Sequence, residues 1–434
     1  MMSLSIADNN DTIAFLQDLE KIGPFQRFFN KIVSGSYPLF LAAILAMIWA
    51  NLLAASYHSF WHTQISLSFG QFTISKSLAH WIDEALMTFF FFTVGLEIKR
   101  EILVGGLSSP KQAALPIAAA VGGMIFPAAI YLALNYGTPA AKGWGIPMAT
   151  DIAFSLAVLA FLKDKVPRGL RIFLTAFAIT DDLGAVIVIA LFYTKTIVWQ
   201  NLIFSTLFLV SLGVVNKLWI RKTLVYIVLG IGMWFSILGS GMHATIAGVI
   251  VALFIPARGK YDTETFTSKV KEYLNWIVCG DNCGHSILMN QRHLDAVQAI
   301  EIACSNVETP LQRLEHHLQS WVAYLVLPLF ALANSGLALR ELDMSTAIRH
   351  PVTLGVIFGL VFGKPLGVIS FTYLGSKLLQ APLMSGIKWS HIAGVGLLGG
   401  IGFTMSLFIS GLSFTSAQVL DFSKLGIIAG SVVS

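Results

Sequence analysis

Eleven runs of mostly apolar residues, each near the roughly 20 needed to cross a bilayer as a helix, constrain this chain more than any other feature. They lie near 36–56, 82–103, 113–135, 143–162, 171–194, 198–216, 222–238, 243–257, 321–339, 352–375 and 391–412. A weaker run at 416–434 contains Asp421 and Lys424 and ends at Ser434, so it reads as short for a full crossing. The expected fold is an all-α polytopic membrane protein. Composition agrees: 12% of residues are charged, about half the roughly 25% usual in soluble domains.

Basic residues concentrate on the cytoplasmic side of membrane proteins. With the N-terminus inside, that side receives Lys21, Arg27 and Lys31, then Lys99, Arg100 and Lys111, then Lys163, Lys165, Arg168 and Arg171, then Lys217, Arg221 and Lys222. The opposite loops hold only Lys76, Lys142, Lys195, Arg340 and Arg349. The organisation predicted is a cytoplasmic N-terminal segment 1–35, helices 1–8 within 36–258, a cytoplasmic loop 259–319, and helices 9–12 within 320–434. The first 35 residues carry Asp8, Asp11, Asp18 and Glu20 and lack a basic start before an apolar core, so they do not read as a cleaved signal. The net charge of +5 is scattered over short loops, which argues against nucleic acid as a partner.

Residues 65–75 alternate around a glycine, the pattern of a small β-hairpin, placed at 64–76 on the outer side. Isolated hairpins are marginal in water, so this one is either a lid over its loop or a dimer contact. An amphipathic run near His293–Val307 predicts a surface helix in the cytoplasmic loop. Cys279, Cys283 and Cys304 all fall in that loop. With His285 they could bind metal, but the spacing is atypical and no second ligand pair follows, so free thiols and no cofactor are expected.

Charge inside the apolar spans is rare and informative. A charge at the bilayer centre costs at least roughly 2.5–3.5 kcal/mol, so it usually faces a cavity and serves a function. Asp181 and Asp182 sit about ten residues into their span, roughly 15 Å at helical rise; Lys364 and Asp151 are central in theirs. A purely structural ion pair would need Lys364 and one aspartate. Three carboxylates against one ammonium leave a net minus two, which invites cations or protons. Adjacent residues lie about 100° apart around a helix, so one aspartate can pair with Lys364 while the other faces an ion path. Neighbouring carboxylates also titrate as a coupled pair. Such a group can hold a proton or a sodium ion and not both, and this competition with alternating access is what antiport requires.

Two spans carry helix-breaking sequence at matching depth: Pro147 before Met148-Ala149-Thr150-Asp151, and Gly399-Gly400-Ile401-Gly402. Interrupted spans at corresponding positions of two halves point to a transporter's binding site.

The chain resembles the NhaA family of sodium/proton antiporters, itself a worked example of inverted-repeat transporters. The resemblance rests on Trp81-Ile82-Asp83-Glu84-Ala85-Leu86-Met87, Val94-Gly95-Leu96-Glu97-Ile98-Lys99-Arg100-Glu101, Ala149-Thr150-Asp151-Ile152-Ala153-Phe154 and Ala178-Ile179-Thr180-Asp181-Asp182-Leu183-Gly184-Ala185. It continues through Gly241-Met242-His243-Ala244-Thr245, Gly363-Lys364-Pro365-Leu366-Gly367 and Gly400-Ile401-Gly402-Phe403-Thr404-Met405-Ser406. It implies twelve helices with two inverted repeats, spans three to five against ten to twelve, and two crossing discontinuous helices. Asp182 would be the principal Na+ or Li+ ligand, Asp181 would share ion and proton traffic and pair with Lys364, and Thr150 and Asp151 would line the crossing. The outer hairpin would join a homodimer in the bacterial inner membrane, with lipid around it. Exchange would be electrogenic, returning more protons than sodium ions exported. Glu97, Arg100, Glu101, Glu315 and His316 match a pH-responsive cluster, and His243 is tied to pH response by the same resemblance. Departures are Gln319 where a histidine is expected (with His317 a new neighbour), the more acidic Asp83-Glu84, and a longer insertion across 260–310.

A sodium-coupled symporter of a small organic solute is the alternative, but it needs a polar substrate cavity, and only carboxylates, threonines and one lysine stand at the site. A channel would not need titratable midplane residues or two broken helices. No His-Glu-x-x-His, Gly-x-Ser-x-Gly or Walker sequence occurs, since Gly363-Lys364 is followed by Pro365, so an enzyme is not expected.

Overall fold

Helix ends follow local chemistry in the computed structural model, which describes residues 24–69, 72–162, 166–194, 197–277, 291–378, 380, 382–383 and 386–434. Residues 1–23, Cys279, Cys283 and His285 lie outside the described residues. The chain opens with α1 (Pro24–Leu52) and α2 (Ala54–Trp61), then a hairpin of β1 (Gln64–Phe69) and β2 (Phe72–Ser77). Helix α3 covers 78–104 with a π turn at Ile82–Leu86. Pro110 begins α4 (Pro110–Asn135), where its missing N–H costs nothing. A 3-10 segment (Pro139–Met148) leads into α5 (Ile152–Phe161), followed by α6 (Arg168–Phe192), α7 (Trp199–Lys217) and α8 (Thr223–Ser240). Gly241, at φ 87°, ends α8 in the left-handed conformation that favours glycine.

Next come α9 (Thr245–Phe254), α10 (Thr263–Ile277), α11 (Gln291–Val307), α12 (310–334, with a π turn at Val322–Val326) and α13 (Met344–Arg349). Helix α14 covers 351–378 with a π turn at Gly359–Gly363, and α15 (Trp389–Gly399), α16 (Phe403–Ser413) and α17 (Ala417–Val433) complete the chain.

Among the described residues, six helices are long and apolar enough to cross a membrane, and eight spans result if each of two bent pairs is one. The run at 36–56 is not straight: it bends by 118° between α1 and α2. The run at 243–257 yields only the ten residues of α9, because Gly241 closes the preceding helix and Ile255 turns extended ahead of Pro256. The runs at 82–103 and 321–339 form α3 and α12, each interrupted by a π turn.

The hairpin read from alternation is a two-stranded antiparallel sheet with Gln64 opposite Ser77 and Phe69 opposite Phe72. Ser66 Oγ donates to Ser75 Oγ at 2.8 Å, and Trp81 Nε1 of α3 donates to the Ile65 carbonyl at 3.2 Å. Cys304 is an exposed free thiol on α11.

The chain divides into two units. One holds the chain up to Phe90, Gly106–Thr194 and Gln319–Ser434; the other holds Phe91–Gly105 and Lys195–Leu318. In the first, α4 packs along α14 at a spot where both carry glycine. A methyl group on Gly122 would lie 2.2 Å from the Gly367 carbonyl oxygen, and one on Gly367 would lie 2.0 Å from that of Gly122. Only hydrogen fits there, the small-residue contact that lets membrane helices approach closely. An apolar cluster of Leu159, Phe173, Leu174, Phe177, Val368 and Val395 joins α5, α6, α14 and α15. In the second unit, Leu96, Leu212, Tyr226, Met233, Val251 and Leu311 form the core.

Candidate functional site

Two helices of the first unit are broken, and each break satisfies the other. The 3-10 segment gives way to extended backbone at Ala149 and Asp151 before α5 begins. In the second break, α15 stops at Gly399 and α16 starts at Phe403 after a 46° bend. Every helix end leaves orphan N–H and C=O groups, and without water these must find protein partners. The Asp151 amide donates to the Ile401 carbonyl at 2.7 Å. Thr150 Oγ1 donates to the Gly399 carbonyl at 2.8 Å, and Ser155 Oγ to that of Leu398 at 2.7 Å. In return, Ser406 Oγ of α16 donates to the Ile146 carbonyl at 2.7 Å.

The Asp151 carboxylate serves both helix starts. It accepts from the Phe154 amide at 3.1 Å, capping α5, and from the Thr404 amide at 3.1 Å and hydroxyl at 2.5 Å in the first turn of α16. One negative charge thus faces two positive helix ends. A side chain as small as hydrogen is needed beside it: a methyl group on Gly402 would lie 2.2 Å from Ser406 Oγ and 3.0 Å from the Ala149 carbonyl.

Lys364 supplies the opposite charge. Its Nζ donates to both Asp181 oxygens, at 2.9 and 2.8 Å, and to the Met148 carbonyl at the end of the 3-10 segment. Both side chains of the ion pair are fully buried. The π turn at Gly359–Gly363 immediately precedes Lys364 and rotates it relative to a regular helix; such turns recur at functional sites. The lysine stem runs past Gly123 and Gly399, where added methyl groups would lie in ordinary contact with it at 3.6 and 3.5 Å. Asp182, 1% exposed, follows Asp181 on α6 and is turned about 100° from it. Thr150, Asp151, Asp181 and Lys364 therefore come together around the crossed breaks, with Asp182 on the next helix position.

The charged residues singled out for pH response lie in the second unit and only partly converge. Arg100 Nε meets Glu315 Oε1 at 3.2 Å, and its Nη2 meets Glu101 Oε1 at 3.0 Å. Glu97 and Glu315 are buried, and Glu97 Oε1 makes no hydrogen bond among the described residues. His316 is exposed beside His317, with ring centroids 6.0 Å apart. His243 precedes the start of α9, whereas Lys99 Nζ binds the Leu253 and Ile255 carbonyls at its far end, about 15 Å away along a ten-residue helix.

Burial pushes the Glu315 carboxyl above the usual carboxylate range, while Arg100 opposes the shift and Glu101 adds to it. A carboxyl raised in the folded state stabilises most below its unfolded value, and that contribution is lost as pH rises through the raised one. Glu315→Gln is accordingly expected to flatten the fall in melting temperature on raising pH above the ordinary carboxylate range. Melting curves in detergent at stepped pH check this, and an unchanged slope would remove Glu315 from the titration.

Sequence reading missed Ser155, Thr404 and Ser406 as partners of the breaks, and it missed Asn334, whose Nδ2 donates to Asp83 at 2.8 Å. The only signal available was a hydroxyl next to a helix break.

The profile of the family described as Na+/H+ antiporter 1 matches residues 26–434 of this chain. The chain belongs to this family. Among its relatives, the Na+/H+ antiporter NhaA of Oleidesulfovibrio alaskensis is 44% identical over 420 residues, spanning 96% of this chain and 93% of that one. The Na+/H+ antiporter NhaA 2 of Syntrophotalea carbinolica is 45% identical over 424 residues, with 97% and 95% covered. The NhaA antiporter of Helicobacter pylori strain G27 is 45% identical over 404 residues, with 92% and 90% covered. Membership thus extends through both broken helices and the Asp181–Lys364 pair.

Proposed function

We propose that this chain is a secondary transporter that exchanges cytoplasmic Na+, or Li+, for external H+ by alternating access at the Asp181–Asp182 pair. The observation that carries the reading is two aspartates buried side by side in mid-α6, with Asp181 held by Lys364 beside two crossed helix breaks. Asp182 is the principal cation ligand, Asp181 exchanges ion and proton while pairing with Lys364, and Thr150 and Asp151 hold the crossing in shape. A cation arriving at the pair displaces protons, because a carboxylate oxygen cannot hold both at once. Asp182 releases one proton, and the Asp181–Lys364 pair releases a second when the cation takes the place of the ammonium at Asp181. Two protons for one monovalent ion make the exchange electrogenic and let voltage drive it. Family membership and the absence of catalytic sequence motifs favour a transporter over an enzyme, and the matches lend the symporter alternative no support.

In the same reading the chain has twelve helices arranged as inverted repeats in the bacterial inner membrane, N-terminus in the cytoplasm, as the distribution of lysine and arginine supports. The cluster of Glu97, Arg100, Glu101 and Glu315, with His316 and His243, adjusts activity to pH. The exposed edge of the β1–β2 hairpin pairs with that of a second copy to make a homodimer, since an open strand edge is a ready template for pairing.

The test is reconstitution into liposomes of preset internal pH containing a trapped pH dye. Adding Na+ or Li+ outside is expected to drive protons in the opposite direction with no organic solute present. Proton movement that appears only with an added solute would favour symport, and none at any pH from about 6 to 9 would defeat the exchange reading.

A further inference from the structure

Hydroxyls on buried helices commonly donate back to the carbonyl four residues earlier, as Thr180 does to Ala176 at 2.7 Å and Thr194 to Ala190 at 2.6 Å. Thr175 on α6 and Thr372 on α14 do not. Among the described residues, they are the only threonines whose buried hydroxyl makes no hydrogen bond, at 4% and 0% exposed. Burying a hydroxyl unpaired is unfavourable, so each of these positions calls for a partner that comes and goes.

Each position is related to the level of the ion pair. Thr175 precedes Asp182 by two helical turns, which puts both on one face of α6 about 10 Å apart along its axis. Thr372 follows Lys364 by eight residues, about 12 Å along α14. Both displacements run the same way, because Phe173, Leu174 and Phe177 from the first half of α6 share one apolar cluster with Val368 from the second half of α14. The hydroxyls therefore lie at similar depth, between the Asp182–Lys364 level and the side on which α6 begins.

We infer that Thr175 and Thr372 line a hydroxyl station through which a monovalent cation, still carrying part of its hydration water, passes to and from Asp182. The inference rests on the exchange reading and adds to it two specific residues. Neutral oxygens that replace some of an ion's water, without holding it tightly, are what a conduction step needs. Both hydroxyls are buried here, and an arriving cation with its remaining water would give each a hydrogen-bonding partner.

The test compares wild type with Thr175→Val, Thr372→Val and Thr175→Ser in liposomes, measuring proton flux against Na+ concentration, together with melting temperatures in detergent. Valine keeps the shape and deletes the hydroxyl, so both valine variants are expected to melt at or above the wild-type temperature. Their half-saturating Na+ concentration is expected to rise about fivefold, the order of one lost hydrogen-bonding group, with maximal flux kept, while the serine variant stays near wild type. A wild-type half-saturating concentration in the valine variants would overturn the inference, as would a lower melting temperature, which would mean that the hydroxyls have structural partners. If wild type itself moves no protons with Na+ or Li+, the exchange reading fails first and this inference falls with it.

Discussion

Asp182→Asn is expected to reduce Na+-driven proton movement to the level of empty liposomes while leaving the folded protein intact. The amide keeps the size of the carboxyl but can neither release a proton in the relevant range nor offer a full negative charge to a cation. Because the side chain is buried, removing its charge relieves a desolvation cost, so the melting temperature should hold or rise. Asp181→Asn is the informative contrast. It leaves the Lys364 ammonium buried without its carboxylate and is expected to lower stability as well as transport. Full exchange by Asp182→Asn with Na+ would move the site elsewhere, with Asp151 the next carboxylate in line.

The second large effect is on stability. Lys364→Ala removes every hydrogen bond that Nζ makes, to both Asp181 oxygens and to the Met148 carbonyl. Breaking a buried pair from one side costs on the order of 3–5 kcal/mol, mostly because the remaining charge is left uncompensated. Replacing both partners by apolar groups of similar size is often neutral, so the double variant Lys364→Met with Asp181→Leu is expected to recover most of the loss while failing to transport. Melting temperatures of wild type, Lys364→Met, Asp181→Leu and the double form a cycle that isolates the pair. A double variant that melts as low as Lys364→Ala would show that the cost comes from the Met148 carbonyl or from losing the ammonium 5.8 Å from the Phe177 ring centroid, rather than from the charge left on Asp181.

Much of this site is legible in the sequence because it violates a strong expectation. Asp181, Asp182, Lys364 and Asp151 stand out as charges inside apolar runs, and the breaks stand out as Pro147 and the glycines at 399–402. The hairpin is legible for a similar reason, since period-two alternation is foreign to the surrounding helices. What satisfies the breaks is not legible. Ser155, Thr404 and Ser406 look in the sequence like any hydroxyl on a membrane helix, and Thr180 shows the ordinary outcome of such a residue; Thr150 is placed at the crossing by the family resemblance alone. The π turns at Ile82–Leu86, Val322–Val326 and Gly359–Gly363 share no sequence pattern. The 118° bend after α1 is equally silent. The shortness of α9 was visible in Gly241 and Pro256, but a search for long apolar runs passes over such stops.

The central claim is that one buried carboxylate pair holds protons or Na+ in competition. It is tested most directly by adding Na+ to purified protein in weakly buffered detergent and following pH with a dye. The account predicts protons released on Na+ addition to wild type, saturating with Na+ concentration, and none released by Asp182→Asn. Saturable Na+ binding to wild type without proton release would contradict it.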